Sequence, residues 1–349
     1  MIKFRTSLEP MRAYLPSRPI DNLKAKLDAN ENAYGCSPVV RNAVMTTFEN
    51  ASLYPDGYCD DLREAVSKFY DISKESLIFG AGTDEVIAML GKTFIEPGDE
   101  AITASITFSQ YAIAVEAMDG KMVYAPLAEH TFNLDAILAA ITDRTKLIFI
   151  CNPNNPTGTY ITQQQQDAFM AKVPANILVV FDEAYQEYVN APDFPNTLQT
   201  TLKKYPNAML LKTFSKIYGL ASFRIGFGVA DPAIITQMEK IRPPFNVTSQ
   251  AQAAGIAALT DQDFVRASFE KNLRVKEALI DFMAKKGFES IPSQANFVMT
   301  NVKNDDIHLK LLAKGYIIRS GSAFGMGGYI RVSIGTEEEI QGFLNALTN

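Results

Sequence analysis

Between residues 76 and 230 the chain repeats one alternation, short runs that are apolar throughout followed by longer stretches with helical spacing of apolar positions. The runs are "SLIF" (76–79), "EAIT" (100–103), "KMVYA" (121–125), "KLIFI" (146–150), "ILVVF" (177–181), "AMLL" (208–211) and "IGFGVA" (225–230). Stretches such as "DEVIAMLGKTF" and "QQQQDAFMAKV" lie between most of them. Strands without a polar face must be covered on both sides, so the pattern predicts an α/β fold with a mostly parallel central sheet between helical layers. The glutamine run at 163–166 is not low complexity on this reading, because Thr162 followed by Gln165 has the spacing of a capping box. After about residue 245 long helical stretches take over, "SQAQAAGIAAL" and "DFVRASFEKNLRVKEALIDFMAKKG", followed by short strands around "NFVMTNV", "YIIRS" and "GYIRVSIG". The expected organisation is a large domain over 46–245 and a smaller α+β domain built from 1–45 together with 246–349.

Composition narrows the function. A chain of 349 residues with 47% hydrophobic content can bury a large core. With 33 basic and 39 acidic residues and no basic run, a nucleic-acid partner is not expected. No apolar segment approaches a bilayer-spanning length, and "MIKFRTSLEPMRAYLP" lacks the apolar core of a signal peptide, so cytoplasmic residence is expected. Cys36, Cys59 and Cys151 form no CxxC pair, and His130 and His308 are the only histidines, so no metal site is expected.

The chemistry gathers where apolar runs end. "ILVVFDEAY" delivers Asp182 and then Tyr185, "KLIFI" leads into the turn "CNPNNPTG", and "AMLLKT" leads to Thr213, Ser215 and Lys216. "SLIF" leads into "GAGTDE", a glycine turn opening a helix, where free amides and the helix dipole favour an anion. In a parallel sheet these ends share one edge. An amine, a carboxylate and a phosphate cradle on one edge describe a pocket for pyridoxal phosphate. Its aldehyde needs a lysine for a Schiff base, its ring nitrogen a carboxylate, and its phosphate amides, hydroxyls and an arginine. A dinucleotide fingerprint is excluded, because Glu85 stands where the third glycine belongs.

The ordered motifs "YPDG", "GAGTDE", "FSQY", "NPNNPTG", "DEAY" and "TFSK", with Arg224 eight residues beyond Lys216, resemble the fold-type I pyridoxal-phosphate aminotransferases over nearly the whole chain. "KLDANENAYGCSP", "RPPFNVTSQAQ", "SQANFV" and "IRVSIGT" are similar to the histidinol-phosphate aminotransferase family in particular. The chain departs from that family's pattern at Ala33, Cys36 and Ile106, where proline is usual, and at "SF" before Arg224. The resemblance implies that Lys216 carries the cofactor and shuttles a proton, that Asp182 pairs with the ring nitrogen, and that Tyr185 and Asn155 bond the ring hydroxyl. It implies Tyr111 stacked on the ring, with Thr83, Asp84, Ser215 and Arg224 on the phosphate. Tyr54 would reach the neighbouring subunit's phosphate, which implies a homodimer. Arg331 would grip the substrate's anionic group with Arg319 as its second partner, and Tyr14 would close over the substrate. The implied reaction is transamination between histidinol phosphate and 2-oxoglutarate in histidine biosynthesis. An aromatic aminotransferase, or a decarboxylase of a phosphorylated amino acid on the same scaffold, stays open as an alternative.

Overall fold

The computed structural model describes residues 2–9, 11, 13 and 20–348. Among the described residues, strands form a seven-stranded sheet, a five-stranded sheet and a two-stranded ribbon, Leu127–Ala128 with Thr131–Phe132. All seven apolar runs lie in the larger sheet, in the order Leu77–Gly80, Gly226–Ala230, Ala208–Thr213, Leu178–Asp182, Thr145–Cys151, Glu100–Ala104, Lys121–Ala125. Neighbours run parallel except at Gly226–Ala230, which is antiparallel to the strands on either side. The runs carry no polar face because helices cover both sides: Ile148, Phe149, Val179, Val180 and Leu211 are wholly buried.

Several helices begin where the chain supplies a side-chain cap. Thr162 accepts from the Gln165 amide while the Gln165 side chain accepts from the Thr162 amide, the reciprocal pair expected for the glutamine run. Helix Thr83–Phe94 starts after Gly82, whose φ of +77° suits a residue without Cβ, and the Glu85 carboxylate reaches back to the Ala81 amide at 2.7 Å.

The smaller sheet runs Ala25–Leu27, Tyr316–Ser320, Tyr329–Ser333, Phe297–Asn301, Glu289–Ile291. Its core is a separate cluster including Leu27, Leu279, Met283, Val298, Val332 and Phe343. The packing break does not fall at the expected 45/46 and 245/246 boundaries. Helices Pro38–Thr46 and Ser249–Thr260 lie against each other, and Val40, Ala251, Ala254, Ala258 and Leu259 belong to the core of the larger sheet. The break lies within the long helix Gln262–Lys285, whose Val265 and Phe269 pack on the larger core and whose Val275, Leu279 and Met283 pack on the smaller one. The alanine- and glycine-rich stretch reads as part of a helical tail, but its small side chains allow close approach. A Cβ at Gly255 would already stand 3.1 Å from Leu62 and 3.2 Å from Ile225. No described helix is long and apolar enough to cross a membrane.

Candidate active site

The two sheets meet over a cavity of about 250 Å³. Its floor is the carboxyl edge of the larger sheet, where Cys151, Asp182 and Thr213 end adjacent strands, and the following turns bring Asn155, Tyr185, Ser215, Lys216 and Arg224 to the same space. Thr83 and Asp84 enter from the start of helix Thr83–Phe94, Arg319 and Arg331 descend from the smaller sheet, and Phe324 comes from the 3-10 turn between their strands. Residues 28–30 and Phe108 also line the cavity.

Burial acts on the ionisable groups according to their partners. Asp182 is buried, which pushes its carboxyl up to about 6 against the lowering effect of the Tyr111 hydroxyl, which donates to it at 2.7 Å. Lys216 is pushed down to about 8, first by burial and then by the Arg331 charge, and its Nζ donates to the Ala29 carbonyl at 3.0 Å. Lys212, four residues earlier and equally buried, behaves differently. Burial lowers its pKa, but Glu187 at 2.8 Å and Glu183 outweigh that effect and raise it. One lysine is therefore locked in an ion pair and does not line the cavity, while the other lines it with an amine that is part neutral near pH 8.

A phosphate-sized anion has a prepared wall. The first amides of helix Thr83–Phe94, Ser215 and Arg224 converge there, with Arg224 paired to Asp84 at 3.1 Å. Gly82 and Gly226 keep the wall open, since a Cβ would lie 2.5 Å from Arg224 Nη2 at the first and 2.6 Å from the Thr83 amide nitrogen at the second. The residues fit pyridoxal phosphate on these grounds: an amine of low basicity, a buried carboxylate suited to a protonated ring nitrogen, and an anion cradle with no room for side chains. Among the described residues no group of three His, Cys, Asp or Glu side chains is placed to hold a metal ion.

Arg331, itself buried, donates to Asn155 Oδ1 and, at 2.5 Å, to the Asp28 carbonyl, with its guanidinium 5.3 Å from the Phe297 ring centre and 5.2 Å from that of Phe324. Arg319 stands opposite it in the antiparallel register of neighbouring strands, so both side chains leave the same face.

One expected residue stands elsewhere. Tyr111 does not line the cavity. It shares the core face of helix Gln110–Glu116 with Ala114 and Val115, stacks on Phe149 at 4.8 Å and turns its hydroxyl to Asp182 from behind. Phe108, three residues earlier, lines the cavity instead. The spacing of 111, 114 and 115 was the available signal, because i, i+3, i+4 marks a helix's buried stripe. Tyr54 is 81% exposed, stacks on Phe245 at 4.7 Å and is absent from this chain's cavity lining. Tyr14 lies outside the described residues. Sequence reading missed Asn30, whose amide reaches the Tyr185 hydroxyl at 3.1 Å, and the run of carbonyls beside it.

Residues 23–347 match the family described as "Aminotransferase class I and II". The histidinol-phosphate aminotransferase of Bacillus subtilis (strain 168) is 42% identical over 359 residues, covering 99% of this chain and 99% of that protein. The protein of the same name from Halalkalibacterium halodurans is 40% identical over 358 residues, covering 100% and 97%. Among solved structures, the Sinorhizobium meliloti histidinol-phosphate aminotransferase in complex with pyridoxal-5'-phosphate superposes with a TM-score of 0.87 at 28% identity, covering 93% of this chain and 90% of that one.

Proposed function

The chain belongs to the class I and II aminotransferases and, within them, to the histidinol-phosphate aminotransferases; from that premise we propose that it transfers the amino group of histidinol phosphate to 2-oxoglutarate in histidine biosynthesis. It is a pyridoxal-phosphate enzyme. The observation that carries the substrate reading is the meeting of Lys216 and Asp182 on one wall of the cavity with Arg331 and Arg319 on the other. The two cores are, on this reading, two domains with the substrate bound between them.

When bound, pyridoxal phosphate supplies an electron-withdrawing ring that stabilises negative charge at the substrate's α-carbon. Asp182 keeps the ring nitrogen protonated, and the Tyr111 hydroxyl holds the carboxylate in place from the core side. Thr83, Asp84 by its amide, Ser215 and Arg224 hold the phosphate, while Tyr185 and Asn155 address the ring hydroxyl. Phe108, which lines the cavity where Tyr111 does not, would stack on the ring. Lys216 Nζ, with basicity lowered by burial, takes the proton from the substrate α-carbon and returns it. Arg331 and Arg319 hold the substrate's phosphate or carboxylate. Tyr14 is proposed to close over the substrate from the N-terminal segment.

We also propose a homodimer in the cytoplasm. Met45, Phe48, Leu53, Tyr54, Tyr58 and Phe245 are exposed apolar or aromatic side chains, the kind of surface a second copy covers, and Tyr54 is free of its own chain's cavity to enter the neighbour's. Three free cysteines suit a reducing compartment.

The test is a donor panel on purified, cofactor-loaded enzyme with 2-oxoglutarate as acceptor. The expected result is a kcat/KM for histidinol phosphate at least about tenfold above that for phenylalanine or tyrosine, roughly 1.4 kcal/mol in transition-state binding. A preference for the aromatic donors, or carbon dioxide released from a phosphorylated amino acid, would replace the reading with one of its alternatives.

A further inference from the structure

The segment Asp28–Asn32 crosses the cavity as a strap, and its carbonyls are all in use. Asp28 O accepts from Arg331 at 2.5 Å, Ala29 O from Lys216 at 3.0 Å, and Asn30 O from the Asn296 side-chain amide at 3.1 Å. Asn296 is fully buried and its amide also reaches Glu31 O at 3.4 Å; Asn32 donates to Ile217 O at 2.7 Å, beside Lys216. At the centre is Asn30, buried and left-handed at φ +56°.

Donor and acceptor accounting around Tyr185 gives Asn30 a task. An arginine can only donate, so the Asn155 atom that receives Arg331 must be Oδ1, and its Nδ2 is thereby turned toward the Tyr185 hydroxyl at 3.4 Å. Ser333 Oγ accepts from the Asn30 amide nitrogen at 2.8 Å and donates to Asn30 Oδ1 at 2.8 Å, which turns Asn30 Nδ2 to Tyr185 at 3.1 Å. With the opposite orientation the buried Ser333 proton would lose its acceptor. Two amides therefore occupy the lone pairs of the Tyr185 oxygen, and its own proton is left to point into the cavity.

We propose that Asn30 is a positioning residue that fixes the Tyr185 hydroxyl as a donor into the cavity, with Ser333 and Asn296 holding Asn30 in the required orientation. The inference rests on the cofactor reading above. The charged and titratable groups that also face Tyr185 are Arg331, Cys151, Asp182, Lys216 and Tyr188. None of them changes in the variants below.

The experiment follows the visible absorption of the bound cofactor against pH. A hydroxyl that donates to the cofactor's ring oxygen favours its ionised form, so loss of that donor moves the spectral midpoint upward. Asn30→Asp replaces a donor by an acceptor, which draws the Tyr185 proton away from the cavity; the midpoint should rise by at least about one pH unit, tenfold in the proton equilibrium. Asn30→Gly keeps the left-handed backbone while removing the amide, and should shift the midpoint in the same direction by a smaller amount. In a Tyr185→Phe background neither substitution should move the midpoint further, because Asn30 acts through the hydroxyl. An unchanged midpoint in both Asn30 variants, or equal shifts with and without the Tyr185 hydroxyl, would overturn the proposal. A wild type that acquires no visible chromophore would defeat the cofactor reading itself.

Discussion

Removal from water acts against charge on both Asp182 and Lys216, so the carboxyl moves up to about 6 and the amine down to about 8. The consequence for Asp182 is testable without any cofactor. Its folded-state pKa lies above the usual 3.8, so the folded chain holds this proton more tightly than the unfolded chain does. The stability it contributes is present below about pH 4 and is lost as pH rises through about 6, to the extent of roughly 3 kcal/mol. Cofactor-free wild type should therefore lose denaturant stability relative to Asp182→Asn between those limits, and parallel curves for the two proteins would contradict the burial argument. Most of the candidate site was legible one residue at a time, because an acid, an amide-rich turn or a lysine-bearing turn within a few residues of an apolar run is unusual in sequence. Tyr111 was misplaced because motif position says nothing about which way a helix faces, and Asn30 was missed because an asparagine that works through its amide polarity leaves no periodic trace.

Strands were the more legible elements. The apolar runs in the larger sheet were identified to within a residue or two, since a strand buried on both faces has no reason to carry polar side chains. Ala25–Leu27 and Glu289–Ile291 escaped notice because three residues at a sheet edge make no pattern. Antiparallel pairing in the smaller sheet has a functional consequence that depends on register, which sequence does not display. Arg319 and Arg331 stand opposite each other, which on the proposed reading would give one anion site two guanidiniums. A tetrahedral phosphate dianion can accept from both through several charge-assisted hydrogen bonds, whereas a planar carboxylate uses fewer. Arg319→Ala should accordingly lower kcat/KM for histidinol phosphate at least about tenfold more than for glutamate, a discrimination of roughly 1.4 kcal/mol, whereas Arg331→Ala should impair both donors. Equal losses for the two donors in Arg319→Ala would remove Arg319 from phosphate recognition.

At the scale of the whole molecule, catalysis depends on surfaces that meet: one sheet's carboxyl edge, the arginine-bearing face of the other, and on the proposed reading a second copy of the chain. If Tyr54 completes the neighbour's cofactor site, Tyr54→Ala and Lys216→Ala subunits, each inactive alone, should regain activity when mixed, because one site of the hybrid has both residues intact. No recovery after demonstrated subunit exchange would mean that each site is built within one chain. On the proposed reading Lys216 bears the cofactor, and its environment distinguishes it from ion-paired Lys212. The most direct measurement is borohydride reduction of the pyridoxal-phosphate-loaded protein followed by peptide mapping. The account predicts cofactor mass on the peptide containing Lys216, attachment that rises with pH through about 8, and no trapped cofactor in Lys216→Ala; label on Lys212 or any other lysine, or retained label in Lys216→Ala, would contradict it.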